Sequence, residues 1–324
     1  MPQQPFDRPE AGTMVTLRVA TSVGPISIVG EIVSADDERW SVRRRDGEIA
    51  DVSVASIEAR RVVPPGRSVT TSALEIEQIS AFGWRPVEAA RLGGWLLRAS
   101  GGFTQRANSA LALGDPGMEL DEAIGLVSEW YAARDLPALL LEPDGSAPDG
   151  LSTRLAERGW SARSETHVMT GEIAHVLRAR PAALADVAAS GLALEVDEVP
   201  DDAWYACAID GGRPDSVDAR QVIEAHPAVV FGSLREGDRA VAVARAAVDA
   251  RWAGLFMVTV APDRRRAGLG VAITLATLKE AARRGGRHVY LQVTTQNSAA
   301  IELYRQLNLR VHHSYRYWSA PAPK

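Results

Sequence analysis

At 324 residues the chain is too long for one ordinary hydrophobic core, so two or three domains are expected. Its 46% hydrophobic and 24% charged residues exclude a disordered chain, and a formal net charge of -5 argues against a dedicated nucleic-acid binder. The lone cysteine, Cys207, rules out an intrachain disulfide and fits a reducing compartment. The opening MPQQPFDRPE has no basic-then-apolar pattern, and no apolar run approaches the roughly 18 residues of a membrane span. The expected setting is cytoplasmic, with neither membrane nor nucleic acid as partner.

Residues 1–66 read as a small all-β domain. Val15–Ala20, Ile26–Val33, Trp40–Arg44 and Ile49–Val54 are β-rich runs, separated by turn signals at Val23-Gly24-Pro25, Ala35-Asp36-Asp37 and Asp46-Gly47. Short strands at this spacing predict an SH3-like barrel. Arg43-Arg44-Arg45 invites a nucleic-acid reading, but residues 1–67 hold nine arginines against ten acids. A solvated strand edge is the simpler account of that run. Pro64-Pro65-Gly66 reads as a linker.

From Ser72 onward helices and strands alternate, which predicts α/β architecture. An internal echo divides this region into 67–180 and 181–324. In the first part a helix at Leu120–Arg134 carries Leu120, Ile124, Val127 and Tyr131 on one stripe. A strand Ala138–Leu141, a helix Leu151–Arg158, a turn at Gly159 and a strand to about Met169 follow. The second part repeats the order about 150 residues later: helix Gly270–Arg284, strand His288–Val293, helix Ser298–Leu307, a turn at Asn308 and strand Arg310–Trp318. A duplicated fold with one altered half accounts for the echo.

The strongest local signal is the apolar strand Leu255–Val260, followed by Ala261-Pro262 and the loop Asp263-Arg264-Arg265-Arg266-Ala267-Gly268-Leu269-Gly270. Gly268 and Gly270 let backbone approach a ligand. The first N–H groups of the helix beyond lack internal partners and, with the helix dipole, make an anion site suited to pyrophosphate. The loop is not a P-loop, because no Gly-Lys-Ser/Thr follows. It fits a dinucleotide fingerprint poorly, because the third glycine is missing and Tyr290 and Gln292 are not acidic. A plain turn with arginines in solvent is the bland alternative.

Arg265-Arg266-Ala267-Gly268-Leu269-Gly270 resembles the Arg/Gln-x-x-Gly-x-Gly/Ala pyrophosphate loop of the GCN5-related N-acetyltransferase (GNAT) superfamily. Asn297-Ser298-Ala299-Ala300-Ile301-Glu302-Leu303-Tyr304 resembles its asparagine-to-tyrosine helix. The resemblance covers about 185–324 and departs at Leu307-Asn308-Leu309, where the family usually has a glycine and an aromatic. It implies a tandem of GNAT-like units behind the small β domain, with acetyl-CoA as cosubstrate and no metal. It further implies that Val258 and Val260 bond the pantetheine arm through their backbone, and that Arg265, Arg266, Gly268, Leu269 and Gly270 cradle the pyrophosphate. Asn297 would anchor the arm, and Tyr304 would protonate the departing thiolate. A phenol with a pKa near 10 stays protonated at neutral pH and can donate. As a plain core aromatic, Tyr304 would pack with Ile301 and Leu307.

No base for the attacking amine is visible. Asp249, Glu224 and Asp210 are candidates, alongside a water relay or an amine that arrives neutral. His312 and His313 are neighbours, so a regular strand would turn them to opposite faces and deny them a shared metal. In the first part Tyr304 maps to Leu155 and Asn297 to Pro148. The loop maps to Gly114–Glu122, whose acids would repel phosphate, so this half is expected to shape the acceptor pocket instead. Gly93–Arg98 and Gly102–Ser109 read as paired strands. The layout resembles actinobacterial GNAT proteins, some regarded as N-acetylglutamate synthases, which implies a small-molecule primary amine as acceptor, with L-glutamate the candidate. Arg98, Arg106 and Arg213 are then candidate partners for its carboxylates, or ordinary surface pairs. The competing class is a catalytically silent acyl-CoA sensor.

Overall fold

The computed structural model describes residues 8–9, 13–21, 26–44, 49–63, 71–209, 212 and 214–321. They fall into two compact units, Met1–Thr71 and Ser72–Lys324.

The first unit is one antiparallel sheet of β1 (Met14–Val19), β2 (Ile26–Ala35), β3 (Arg39–Arg44), β4 (Ile49–Ser53) and β5 (Ile57–Val63), in the order β4-β3-β2-β1-β5. Alternation buries Val15, Leu17, Ile28, Ile32, Trp40, Val42 and Val52 on one face. Four strands match the expected runs. The fifth is masked in sequence by Arg60-Arg61, which breaks the apolar pattern of IEARRVV. Arg43 and Arg44 end β3, an inner strand, so the expected strand edge is not where this run lies. Arg45 and the linker Pro64-Pro65-Gly66 are outside the described residues.

The second unit runs α1 (Ala73–Gly83), β6 (Glu88–Leu92), β7 (Trp95–Ala99), β8 (Ala110–Leu111), α2 (Leu120–Ala132), β9 (Leu139–Pro143), α3 (Leu151–Glu157), β10 (Ser161–Glu172), α4 (Ile173–Ala179) and α5 (Ala183–Ala189). It continues through β11 (Ala193–Asp197), α6 (Asp202–Ala208), α7 (Val217–Glu224), β12 (Val229–Glu236), β13 (Arg239–Asp249), β14 (Trp252–Val260), α8 (Leu269–Arg283), β15 (His288–Thr294), α9 (Ser298–Gln306) and β16 (Arg310–Ser319). All its strands join one eleven-stranded sheet, β11-β12-β13-β14-β15-β10-β16-β9-β8-β7-β6.

The duplication is explicit in this order. In each half one parallel pair, β8 with β9 and β14 with β15, lies among antiparallel neighbours. Each half also lends its last strand to the other. β10 pairs with β15 through Thr166↔Thr294 to Glu172↔His288, and β16 pairs with β9 through Tyr315↔Pro143 to Ser319↔Leu139. The point expected to divide two domains, at 180, lies between α4 and α5, and both of those helices pack on α8. The sheet passes through that division without a break.

Local chemistry explains the helix ends. A capping box opens α1: Ser72 Oγ accepts from Glu75 N at 3.2 Å and Glu75 Oε2 accepts from Ser72 N at 2.9 Å. Left-handed residues close α3 and α9, Gly159 (φ 77°) and Asn308 (φ 63°), so asparagine serves here as the turn residue. The segment 102–109 is not the expected strand. Asn108 Oδ1 accepts from Ser100 N (2.7 Å) and Gly102 N (3.0 Å), and Nδ2 donates to the Phe103 and Thr104 carbonyls. These bonds take the place of strand pairing and fold the segment into a loop.

Candidate active site

Parallel pairing of β14 with β15 runs from Trp252↔His288 to Leu255↔Leu291 and stops. Beyond it, β14 stays paired with β13, but the register shifts between Val243 and Arg245 and Met257 takes a φ of 53°. A non-glycine residue in that region is held there at a cost of about 1–2 kcal/mol. The bulge bends the strand away from β15 and leaves a cleft between Phe256–Val260 and Gln292–Thr294. In the first half the corresponding segments are tied together. There Ala112 N donates to Leu141 O at 3.0 Å and Gly114 N to Ser146 O at 2.8 Å, which ties the chain after β8 to the chain after β9.

At the end of β14, Ala261 N is held by Val241 O at 2.9 Å and a short turn, Pro262–Arg264, leads to the glycine loop. Asp263 is gripped by Arg239 through two bonds of 2.7 and 2.9 Å, and Arg264 by Glu236 at 2.7 Å. Arg265 and Arg266 are exposed. Gly268 is the N-cap of α8, with φ 75° and no side chain capping the helix, and a Cβ added to it would meet nothing within 4 Å. Gly270 is confined instead: its added Cβ would come within 3.1 Å of Leu303 Cδ1 on α9. The Leu269 side chain is in the core, so only its backbone faces the loop. An uncapped helix start, an open glycine and two exposed guanidinium groups suit an anionic ligand such as a pyrophosphate.

Asn297 is the N-cap of α9, its Oδ1 accepting from Ala300 N at 3.1 Å. That bond commits the carbonyl and leaves the amide NH2 free to donate toward the cleft. Two turns on, Tyr304 is 8% exposed, packed with Ile301 and Leu307, yet it also lines the cleft. Burial pushes its phenol above the ordinary value.

The cleft opens into a cavity of about 900 Å³. Leu255 to Val258 of β14 form one side, and Leu291 to Thr294 with Asn297, Ala300 and Tyr304 the other. The remainder is Trp84, Thr104, Gln105 and Arg106, with Arg163 and Thr166 from β10 and Tyr315 and Tyr317 from β16. Arg106 lies 5.6 Å from the Phe256 ring centroid, and its Nε is buried without a partner among the described residues. Gln292 is likewise unsatisfied at both side-chain atoms. Two arginines and no aspartate, glutamate, lysine or histidine line this cavity among the described residues.

Of the other expected residues, Val260 packs on the core beside the cleft and Arg98 stands behind the wall. Arg98 is fully buried and bonds Ser109 O at 2.9 Å and Ser109 Oγ at 2.8 Å. Arg213 and Asp210 are outside the described residues. Asp249 is at the hairpin end of β13, and Glu224 accepts the Tyr205 hydroxyl at 2.6 Å; neither lines the cavity. In the first half α3 is two residues shorter than α9, so its N-cap is Gly150, two residues after Pro148. His312 and His313 also depart from expectation: a bulge in β16 brings their Nδ1 atoms to 2.9 Å. Trp84, Arg163, Thr166, Tyr315 and Tyr317 escape a reading by local motif, although the alternation of Tyr315 and Tyr317 marks a shared strand face.

The parting strands, the uncapped glycine loop and the asparagine-to-tyrosine helix make this a GCN5-related N-acetyltransferase. Residues 70–318 match the family described as "Probable histone acetyltransferase Rv0428c C-terminal". The chain is 32% identical over 323 residues to the probable histone acetyltransferase Rv0428c of Mycobacterium tuberculosis, covering 96% of each. It is 25% identical to the uncharacterized N-acetyltransferase YobR of Bacillus subtilis, over 75% of this chain and 97% of that one. A GCN5-related N-acetyltransferase from Kribbella flavida shares the fold, with a TM-score of 0.59 and 21% identity over 78% of this chain and 96% of the other. The chain belongs to the family of the Rv0428c C-terminal region.

Proposed function

We propose that the protein transfers the acetyl group of acetyl-CoA directly to the primary amine of a small molecule that carries carboxylate, with L-glutamate the first candidate. The observation that carries this reading is the cavity's charge: Arg106 and Arg163 line it and no described acid does. In a partly enclosed site two cations repel a polyamine or a lysine-rich protein tail and attract a carboxylate. The unpartnered Nε of Arg106 is a donor that such a carboxylate would satisfy.

Acetyl-CoA supplies the thioester carbon that the amine attacks. Backbone groups of Val258, unpaired at the Met257 bulge, and of Val260 at the strand end would hold the pantetheine arm, with Asn297 donating from the far side. The N–H groups of Gly268, Leu269 and Gly270 and the side chains of Arg265 and Arg266 would hold the pyrophosphate. Tyr304, kept protonated by its apolar surroundings, would give its proton to the leaving sulfur.

The test is thiol release from acetyl-CoA with L-glutamate, L-aspartate, L-lysine, spermidine and a lysine-rich histone-tail peptide as acceptors. Turnover with the acidic amino acids and none with spermidine or the peptide is expected. Preference for the peptide would sink the carboxylate reading. Acetyl-CoA binding with no turnover of any amine would point to a sensor.

A further inference from the structure

The cavity offers the acceptor no carboxylate or imidazole among its described lining residues, yet an ammonium must lose a proton before its nitrogen can attack. A cluster of titratable groups stands directly behind the wall. Glu77 of α1 and His313 of β16 have side chains 1% and 5% exposed, with Oε1 of one 3.0 Å from Nε2 of the other. Ser80 Oγ lies 3.3 Å from the second carboxylate oxygen. On the outer side, His313 Nδ1 is 2.9 Å from Nδ1 of the exposed His312.

The bulge in β16 makes this chain of contacts. Val168 of β10 pairs with His313 and Met169 with Val311, so His312 is the extra residue. A regular strand would send the two imidazoles to opposite faces; here the rings meet edge to face. Register fixes the distance to the cavity. His313, Val168 and Gln292 form one row across the sheet, and Tyr315, Thr166 and Thr294, two residues on, form the next row on the same face. Gln292, Thr166, Thr294 and Tyr315 all line the cavity, so His313 stands in a row that reaches the cavity at Gln292.

We propose that Glu77, His313 and His312 form a relay that carries the acceptor's amine proton from the cavity to solvent. The inference rests on the acetyl-transfer reading of this cavity. The ammonium N–H bond breaks and leaves its electron pair on nitrogen. The proton passes through one water to the Glu77 carboxylate, from Glu77 to His313 Nε2, and from His313 Nδ1 through His312 to solvent. The nitrogen pair then forms the C–N bond, the C–S bond breaks, the thiolate takes the Tyr304 proton, and the second proton on the acylated nitrogen returns to the Tyr304 phenolate, leaving a neutral amide and a neutral phenol. The charged and titratable groups that face Glu77 are Arg98 of β7, Arg106 of the loop before β8 and Tyr290 of β15, while Tyr315 and Tyr317 share the His313 face of β16. Neither Glu77 nor His313 touches the reacting atoms, so pH dependence is what separates a relay from packing.

The experiment measures kcat and kcat/KM against pH for the full chain and for Glu77→Gln, His313→Gln and His312→Asn. The amine is the most active of L-glutamate, L-aspartate, L-lysine and spermidine. The relay predicts a loss of about 10–100-fold in the two buried variants at neutral pH. It predicts recovery toward the wild-type rate once pH exceeds the amine's own pKa, with acetyl-CoA Kd unchanged. Folded variants that keep the wild-type profile, or lose the same factor at every pH, overturn it. If the buried variants unfold, the exposed His312→Asn carries the test, with a smaller loss and the same recovery expected. A wild type that turns over none of these amines overturns the acetyl-transfer reading, and the relay with it.

Discussion

The carbonyls of Tyr304 and Leu155 occupy the same place in the two halves: each accepts the N–H of the residue after a left-handed turn, Leu309 at 3.0 Å and Trp160 at 2.9 Å. The backbone is duplicated and the chemistry is not, because Leu155 sits in an apolar cluster while Tyr304 reaches a cavity. Tyr304→Phe is expected to lower kcat by about 100-fold and to leave acetyl-CoA affinity intact, read by steady-state kinetics and calorimetry. Burial raises the phenol above its ordinary pKa, so it is protonated throughout the neutral range and the loss should be constant from about pH 6 to 9. A wild-type kcat in this variant would reduce Tyr304 to a packing residue.

Arg106 and Arg98 should separate cleanly. Arg106→Gln is expected to raise KM for a carboxylate-bearing acceptor by about tenfold or more, with KM for acetyl-CoA unchanged. Arg98→Met should instead act on stability, since its guanidinium bonds only Ser109 among the described partners and Nη1 is buried without one. Acceptor kinetics for one variant and urea unfolding for the other check the pair. An unchanged KM in Arg106→Gln would remove the carboxylate subsite.

Tyr131 predicts an alkaline loss of stability. Its buried hydroxyl donates to Arg98 O at 2.9 Å, and burial pushes its pKa up to about 12. The folded value lies above the unfolded one near 10, so the contribution is complete below pH 10 and lost as pH rises through 12. The size is on the order of 2–3 kcal/mol. Tyr131→Phe should cost about 1 kcal/mol at pH 8 for the missing hydrogen bond and should flatten this part of the alkaline decline. Urea unfolding at pH 8 and about 11 measures both.

Strand exchange predicts what cutting the chain would do. Residues 72–180 alone would carry β10 without β15 and β16 beside it, and 181–321 would lack β10 between β15 and β16. Each fragment would expose unpaired strand edges, a recipe for aggregation. Neither is expected to fold alone, and coexpression should restore one soluble complex, detectable by gel filtration and acetyl-CoA binding. A folded, monomeric 181–321 would show that the second half completes its own sheet.

How much was legible follows from range. The loop through Gly268, the cap Asn297 and the turn at Asn308 are local devices, and local residues announce them. The offset between Gly159 and Asn308 revealed the duplication for the same reason. The exchange of β10 and β16 was hidden, since one strand's periodicity does not name its neighbours. With it went Arg163, Thr166, Tyr315 and Tyr317, which reach the cavity only because of that exchange. Arg106 was visible as a residue but assigned to a strand, because four of the bonds that make a loop there come from the Asn108 side chain, whose partners the local sequence does not name. The Met257 bulge left no sequence trace, for methionine has no preference for a positive φ.

The exchanged strands also bind the history of the two halves together. A half without a catalytic role of its own would ordinarily be free to decay or be deleted. Here deletion would strip the partner of β10, an inner strand of its sheet, and with it Arg163 and Thr166 of its cavity wall. Under the proposed acetyl transfer the first half would be indispensable, while its remaining cavity-facing positions would be released from any duty toward acetyl-CoA. Such a half can drift toward new acceptors without endangering the chemistry, which makes it the place where relatives of this enzyme should differ in what they acetylate.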